Sequence, residues 1–150
     1  YVGAPNIIGD DNPQVIFDQK VALTDSEAVF IPQKNALLVK LRWMVIMPTP
    51  IKPFVHVMCD GALVAQLDGH VWGDSYPFEK WSSGEIQTEY RQIPMPYPYD
   101  DARCDIFAGV YDQITIQRLS ALDVVAIETL PNQLALIPYR GETDDPFPFD

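Results

Sequence analysis

Basic residues are scarce in this sequence, and their scarcity argues against two classes of partner. Lysine and arginine number 10 against 21 aspartates and glutamates, so the net charge at pH 7 is −11. Nucleic-acid binding needs a basic footprint, and so does attraction to an anionic membrane surface. No apolar run approaches the ~20 residues of a spanning helix, so we expect no membrane insertion. The acidity favours solubility, or attraction of a basic partner.

Residues that carry catalysis or hold metals are also few. There are two histidines, His56 and His70, and two scattered cysteines, whereas a zinc site takes three or four clustered ligands. The sequence contains neither a Gly-x-Ser-x-Gly elbow nor a glycine-rich phosphate loop. We therefore expect a protein that is not an enzyme, with no catalytic residue, cofactor or resident metal.

One metal alternative stays open, because several aspartates fall in predicted turns. Loops of a β-sandwich can hold a structural calcium ion through several oxygens, although aspartate is also an ordinary turn residue. The aspartates concerned are Asp60, Asp68, Asp74, Asp100, Asp101 and Asp112.

Proline is abundant and divides the chain into short segments. Fourteen residues are proline, about twice the usual share, and proline collects at strand ends because it has no N–H to donate. Apolar and basic side chains alternate in residues 36–46, which is typical of a half-buried strand. The runs 54–59 and 62–67 flank Asp60-Gly61, which predicts a hairpin with a tight turn.

Further strands are predicted along the chain. Residues 85–95 alternate with Ile86, Thr88 and Tyr90 on one face. The remaining predictions are a first strand pair in 14–25, a short strand and a turn in 28–35, and strands at 103–112, 114–119, 124–130 and 133–139. About eight or nine short strands, with turn signals between them, predict an all-β, immunoglobulin-like antiparallel β-sandwich.

The two ends of the chain differ from the middle. We expect an extended N-terminal tail (1–13), a sandwich domain (14–132), and a C-terminal strand with an acidic aromatic tail (133–150). The tails are predicted to contact a neighbouring subunit or domain, for example by strand addition; the alternative is that both wrap back onto their own domain. The predicted anchors are Tyr1, Ile7, Ile8, Phe147 and Phe149.

Residues 68–81, DGHVWGDSYPFEKW, place core-sized aromatic side chains in a loop composition. One interpretation is a carbohydrate platform formed by Trp72, Tyr76 and Trp81 with help from Asp74 and His70. Such a platform needs coplanar, exposed rings. The other interpretation is that the loop packs onto one end of its own domain while its polar atoms reach solvent.

The order of motifs across residues 15–128 is similar to that of a known family. The segments are VIFDQKVAL (15–23), LLVKLRW (37–43), FVHVMCDGALVAQLDG (54–69), YPFEKW (76–81), IPMP (93–96) and AGVYD (108–112). Together they resemble the extracytoplasmic β-sandwich domain at the C-terminus of bacterial polytopic membrane glycosyltransferases of the mannosyltransferase type, and its relatives in envelope proteins. Gln19, Gln33 and Ser83 depart from that pattern, where glycine or proline is usual.

The resemblance implies an immunoglobulin-like sandwich outside the cytoplasm with no established catalytic residues. In that family the Tyr-Pro…Trp…Gly-Glu run belongs to the domain's own loop, which favours packing for Tyr76 and Trp81 and leaves Trp72 for an exposed contact. Cys59 and Cys104 lie in predicted strands and have two interpretations: a disulfide, as is common outside the cytoplasm, or two buried free thiols. We favour free thiols, because neither position is cysteine in the family pattern.

These observations predict a non-catalytic extracytoplasmic module that acts through protein contacts. It would be a structural or accessory subunit of a cell-envelope assembly, with another protein or further copies of itself as partner. The alternatives are a carbohydrate-binding module that uses the aromatic loop, and the C-terminal domain of a membrane glycosyltransferase whose chemistry lies elsewhere.

Overall fold

The computed structural model describes residues 13–145 and 148–149. They form two β-sheets that enclose one apolar core, so the predicted all-β sandwich is confirmed. The strands are β1 (Val15–Phe17), β2 (Val21–Ile31), β3 (Ala36–Val45), β4 (Ile51–Cys59), β5 (Ala62–Asp68), β6 (Ile86–Pro94), β7 (Cys104–Asp112), β8 (Ala121–Asp123), β9 (Glu128–Thr129), β10 (Ala135–Leu136) and β11 (Tyr139–Glu142). A four-residue helical segment, α1 (Val71–Asp74), and 3-10 turns at Pro32–Lys34, Phe78–Lys80 and Pro131–Gln133 complete the elements.

The larger sheet has the order β6-β3-β2-β1-β8-β9, and β11 pairs with β2 in parallel. The smaller sheet has the order β10-β7-β4-β5. Strand β2 is long enough to pair with β1 at its beginning and with β11 near its end. The edge strands β5 and β6 therefore belong to different sheets, and they lie close to each other at one side of the sandwich.

Local sequence explains the best-predicted elements. In β3, Leu37, Val39, Leu41 and Trp43 are buried because alternate side chains of a strand point to one face. Between β4 and β5, Asp60 and Gly61 have φ of 52° and 79°, the pair of positive values that matches strand twist in a two-residue turn. The predicted hairpin is therefore confirmed.

Two regions differ from the sequence-based expectation. Residues 114–119 and 124–130, predicted as strands, contain mainly turns and loop, with only the short β9 inside the second. Residues 133–142 supply β10 to the smaller sheet and β11 to the larger one, so the sandwich continues beyond residue 132. No helix in the described ranges 13–145 and 148–149 is long and apolar enough to cross a membrane.

Candidate interaction surfaces

The aromatic loop forms a column of stacked rings. Trp72 stacks on Tyr76 with ring centroids 5.5 Å apart, and Tyr76 stacks on Trp81 at 5.2 Å. Trp81 is buried and meets Phe78 edge-on, which in turn meets Trp43 in the core. The column therefore runs from the core to the surface, and most of it packs onto the domain.

Hydrogen bonds fix this aromatic column in place. The Tyr76 hydroxyl donates to Glu85 Oε2 at 2.9 Å, and the hydrogen bond to Glu85 raises the pKa of Tyr76. Trp81 Nε1 donates to the Tyr76 carbonyl oxygen, and Trp72 Nε1 donates to the Thr88 carbonyl oxygen at 3.0 Å. Rings stacked face to face do not form the coplanar platform that the sugar-binding interpretation requires. Only Trp72, at 48% exposure, presents a large part of its surface.

His70 and Asp74 close the beginning of this loop. The His70 backbone N–H donates to Asp74 Oδ1 at 2.7 Å, and this bond lowers the pKa of Asp74, which is charged at neutral pH. Burial lowers the pKa of His70, and its Nε2 lies 3.2 Å from Gln113 Nε2. His70 thus faces Gln113. The described part of the chain holds no group of three or more His, Cys, Asp or Glu side chains that could bind a metal ion.

Of the predicted tail anchors, Phe149 lies among the described residues. Its ring stacks on Tyr90 of β6 with centroids 5.8 Å apart, which corresponds to the alternative of a tail that returns to its own domain. Tyr1, Ile7, Ile8 and Phe147 lie outside the described residues, and their role as partner anchors stays a prediction.

Cys59 and Cys104 form a disulfide, and the preference for free thiols was wrong. The two residues are directly opposite each other on β4 and β7, with Cα atoms 4.0 Å apart. The Cys104 N–H donates to Asp100 and not to β4, so this is a non-hydrogen-bonded pair, in which side chains approach closely. Beside it, Arg103 Nε donates to Asp60 at 2.8 Å.

A buried ion pair lies between the two sheets at the β5 and β6 side. Glu89 and Arg91 are 2% and 5% exposed, and the Arg91 guanidinium donates to both Glu89 oxygens. The same guanidinium donates to the carbonyl oxygens of Leu67 and Gly69 on the opposite sheet, at 3.0 and 2.7 Å. Trp43 Nε1 donates to Glu89 Oε2 at 2.7 Å, so the pair joins both sheets to the core.

Two turns, which we call the aliphatic tips, expose large apolar side chains. Tip 1 is residues 113–116, and Asp112 Oδ1 accepts the backbone N–H groups of Ile114 and Thr115 at 2.8 and 3.0 Å. These bonds lower the pKa of Asp112, with that from Thr115 the larger cause. Ile114 is 81% exposed and Ile116 is 68% exposed. Ile116 has φ of 62°, a left-handed conformation that is an outlier for a β-branched residue.

Tip 2, residues 124–127, repeats the arrangement. Asp123 Oδ1 accepts the N–H groups of Val125 and Ala126 at 3.0 and 3.1 Å. Val125 is 85% exposed, and Ile127 is 80% exposed with φ of 55°. Both turns therefore present two β-branched side chains to solvent, one of them on a left-handed residue.

A sequence signal for the aliphatic tips exists. The segments DQITIQ (112–117) and DVVAIE (123–128) share Asp at the first position, a β-branched residue at the third and Ile at the fifth. Aspartate accepts backbone N–H groups two and three residues on and so favours a turn. Composition alone predicts a strand for both segments, because isoleucine and valine are strand formers.

Comparison with known proteins assigns no family to the chain. No protein-family model matches the chain, and no curated protein matches it. Among solved structures, the chain is similar to a domain of the outer membrane lipoprotein Omp28 from Porphyromonas gingivalis, with a TM-score of 0.45 and 9% sequence identity over 83% of this chain and 91% of that chain. A likeness this distant carries no conclusion about function, and the resemblance to the glycosyltransferase domain stays an expectation.

Proposed function

We propose that this chain is a non-catalytic, extracytoplasmic β-sandwich module that binds another protein through the aliphatic tips, as an accessory or structural subunit of a cell-envelope assembly. The observation that carries the proposal is the pair of isoleucines, Ile116 and Ile127, held in the left-handed region with their side chains exposed. Their neighbours Ile114 and Val125 are exposed as well.

In the free chain, these isoleucines contribute little to stability. A left-handed conformation costs a non-glycine residue about 1–2 kcal/mol, and the side chains of Ile116 and Ile127 remain largely in water. Burial of one such side chain in an interface contributes roughly 1.5–3 kcal/mol. Contact with a partner would therefore offset the local cost, and exposed apolar groups of this kind mark interaction sites.

The chemistry of the aliphatic tips favours contact over catalysis. Their outward side chains are aliphatic, which suits them to burial and not to proton transfer or nucleophilic attack. The extracytoplasmic location is supported by the Cys59–Cys104 disulfide, since disulfides persist in oxidising compartments and are rare in the cytosol.

The test is the double variant Ile116→Gly/Ile127→Gly, for which stability and binding should change in opposite directions. Relief of the left-handed cost, ~1–2 kcal/mol per site, exceeds the ~0.5–1 kcal/mol by which glycine raises the entropy of the unfolded chain. The free energy of unfolding, measured with urea, should therefore rise slightly. A photo-crosslinking amino acid at position 115 or 126, both exposed residues of the aliphatic tips that neither double variant changes, should give adducts of discrete mass with native envelope proteins, and the double variant should lose them.

Two controls make the result specific. A crosslinker at Lys34, in the exposed 3-10 turn between β2 and β3, should not give the same adducts. The variant Ile114→Ser/Val125→Ser removes apolar surface without changing a left-handed residue, so it should lose partner contact at unchanged stability. Adducts that persist in both double variants, or that appear equally from position 34, would contradict the proposal.

A further inference from the structure

Strand β6 leaves one edge unpaired over part of its length. Its odd-numbered residues exchange backbone hydrogen bonds with β3, as the bonds that extend this ladder from Met95 to Asn35 and from Val45 to Glu85 show. By the alternation of an antiparallel pair, the N–H and C=O groups of Thr88, Tyr90 and Gln92 point to the other side. Within residues 13–145 and 148–149, no backbone group bonds to them there.

The chain protects the neighbouring stretches of edge. Trp72 Nε1 covers the Thr88 carbonyl oxygen, and Pro94, two residues beyond Gln92, has no N–H to offer. On the facing side, Arg91 donates to the carbonyl oxygens of Leu67 in β5 and of Gly69 just after it. Proteins normally cover such edges because they template pairing with other chains. The backbone groups left open are therefore those of Tyr90 and Gln92, together with the Thr88 N–H, whereas the Tyr90 ring itself stacks on Phe149.

A cleft of about 360 Å³ lies along this open edge, lined by residues of β5, β6 and α1. The Glu89–Arg91 pair forms part of its wall and links the two sheets across it. Because Arg91 bonds to the β5 side from within the sandwich, it fixes the spacing of the two edge strands. The cleft is thus a built feature of the fold, with backbone of both edge strands in its wall.

The cleft is acidic. Asp68 and Asp74 line it and are both exposed, whereas the charge of Glu89 is compensated by Arg91. His56 lies 3.6 Å from Asp68, but burial lowers the pKa of His56, so it does not compensate Asp68 at neutral pH. Together with the net charge of −11, this pattern opposes an acidic segment and a second copy of the chain.

We propose that the open edge of β6 binds an extended, basic segment of a partner protein by strand addition. Backbone groups of the segment bond to Tyr90 and Gln92, and its lysine or arginine side chains reach Asp68 and Asp74. Main-chain bonding supplies affinity in this mode, while alternate side chains supply specificity. Tip 1 lies beside this cleft, because Asp68 also lines a pocket with Ile116. The variant Gln92→Pro changes only the strand edge and Ile116→Gly/Ile127→Gly changes only the tips, so the two proposals are tested separately.

The decisive variant is Gln92→Pro. It removes an edge N–H without removing a bond to β3, since residue 92 does not pair with β3 through its N–H, and edge strands tolerate proline. The probe is the peptide acetyl-Lys-Val-Lys-Val-Lys-Val-amide, titrated at low salt into isotope-labelled protein. We expect the amide signals of Thr88, Tyr90 and Gln92 to move, and Gln92→Pro to weaken binding about tenfold, with Gln92→Ala as the matched control.

Four further experiments test the occupant and the mode of binding. The Glu-Val counterpart peptide should not bind, and Asp74→Asn, which keeps the acceptor for His70, should weaken binding of the lysine peptide. If Gln92→Pro fails to fold, a backbone N-methylated lysine peptide tests strand addition on the unmodified protein and should not bind. Equal binding by Gln92→Pro or by the N-methylated peptide, or shifts away from β6, would overturn the proposal. So would light scattering that shows a dimer dissociated by Gln92→Pro, since the occupant would then be a second copy.

Discussion

Replacement of Glu89 by alanine is expected to lower the free energy of unfolding by about 3–5 kcal/mol, the usual cost of breaking a buried ion pair. Glu89 and Arg91 are almost completely buried, and the Arg91 guanidinium donates to both carboxylate oxygens, Nε to Oε1 at 2.9 Å. The substitution leaves the Arg91 charge in the interior with only the carbonyl oxygens of Leu67 and Gly69 as acceptors. It also removes the acceptor of the Trp43 indole N–H.

The double variant Glu89→Leu/Arg91→Leu separates the charge effect from the packing effect. Removal of both charges leaves no buried ion unpaired, and such replacements are often neutral or stabilising. Here the carbonyl oxygens of Leu67 and Gly69 lose their donor, so the free energy of unfolding should fall to some extent. This fall should nevertheless be smaller than that of Glu89→Ala, although two residues have changed.

Urea unfolding followed by tryptophan fluorescence measures both variants, and Glu128→Ala is the matched control. Glu128 is an exposed glutamate in the short edge strand β9, so its removal should change the free energy of unfolding by no more than about 0.5 kcal/mol. If Glu89→Ala costs no more than Glu128→Ala, the ion pair does not hold the sheets together in solution.

Strand β6 shows why such a pair escapes sequence analysis. The strand itself is predictable, because Ile86, Thr88 and Tyr90 alternate with more polar residues. In the structure this set faces outward, and Tyr90 is 55% exposed, whereas Glu89 and Arg91 face the core. The alternation predicts a strand but not which face is buried, because the face depends on the acceptors that Leu67 and Gly69 provide across the sandwich.

The prediction of strands at the aliphatic tips is wrong for a different reason. Isoleucine and valine at alternate positions are typical of a strand, and this preference held for β3 but not for residues 112–117 and 123–128. In both exceptions an aspartate accepts two backbone N–H groups and turns the chain. Asp60-Gly61 was predicted correctly because glycine removes the steric objection to positive φ. Positions 116 and 127 hold isoleucine and not glycine, so Asp112 and Asp123 are the remaining sequence signals for these turns.

Removal of the disulfide by Cys59→Ala/Cys104→Ala should lower the free energy of unfolding by roughly 3–4 kcal/mol in the chain-entropy model. The cross-link spans 45 residues and restricts the unfolded chain over nearly a third of its length. The folded state should change little, because β4 and β7 are paired along nine positions from Ile51–Asp112 to Cys59–Cys104. Reduction of the unsubstituted protein is the matched control and should give a similar loss.

The same experiment bears on where the protein folds. A loss of 3–4 kcal/mol is a large part of the ~5–15 kcal/mol that stabilises an ordinary domain, so the reduced chain should unfold at lower urea and accumulate less in a reducing compartment. The Asp60–Arg103 contact at the same end of the two strands is exposed and contributes little in comparison. If the double variant and the reduced protein both unfold at the same urea concentration as the oxidised protein, the cross-link is not needed for stability. The disulfide would then support an extracytoplasmic location only through the oxidising conditions that its formation needs.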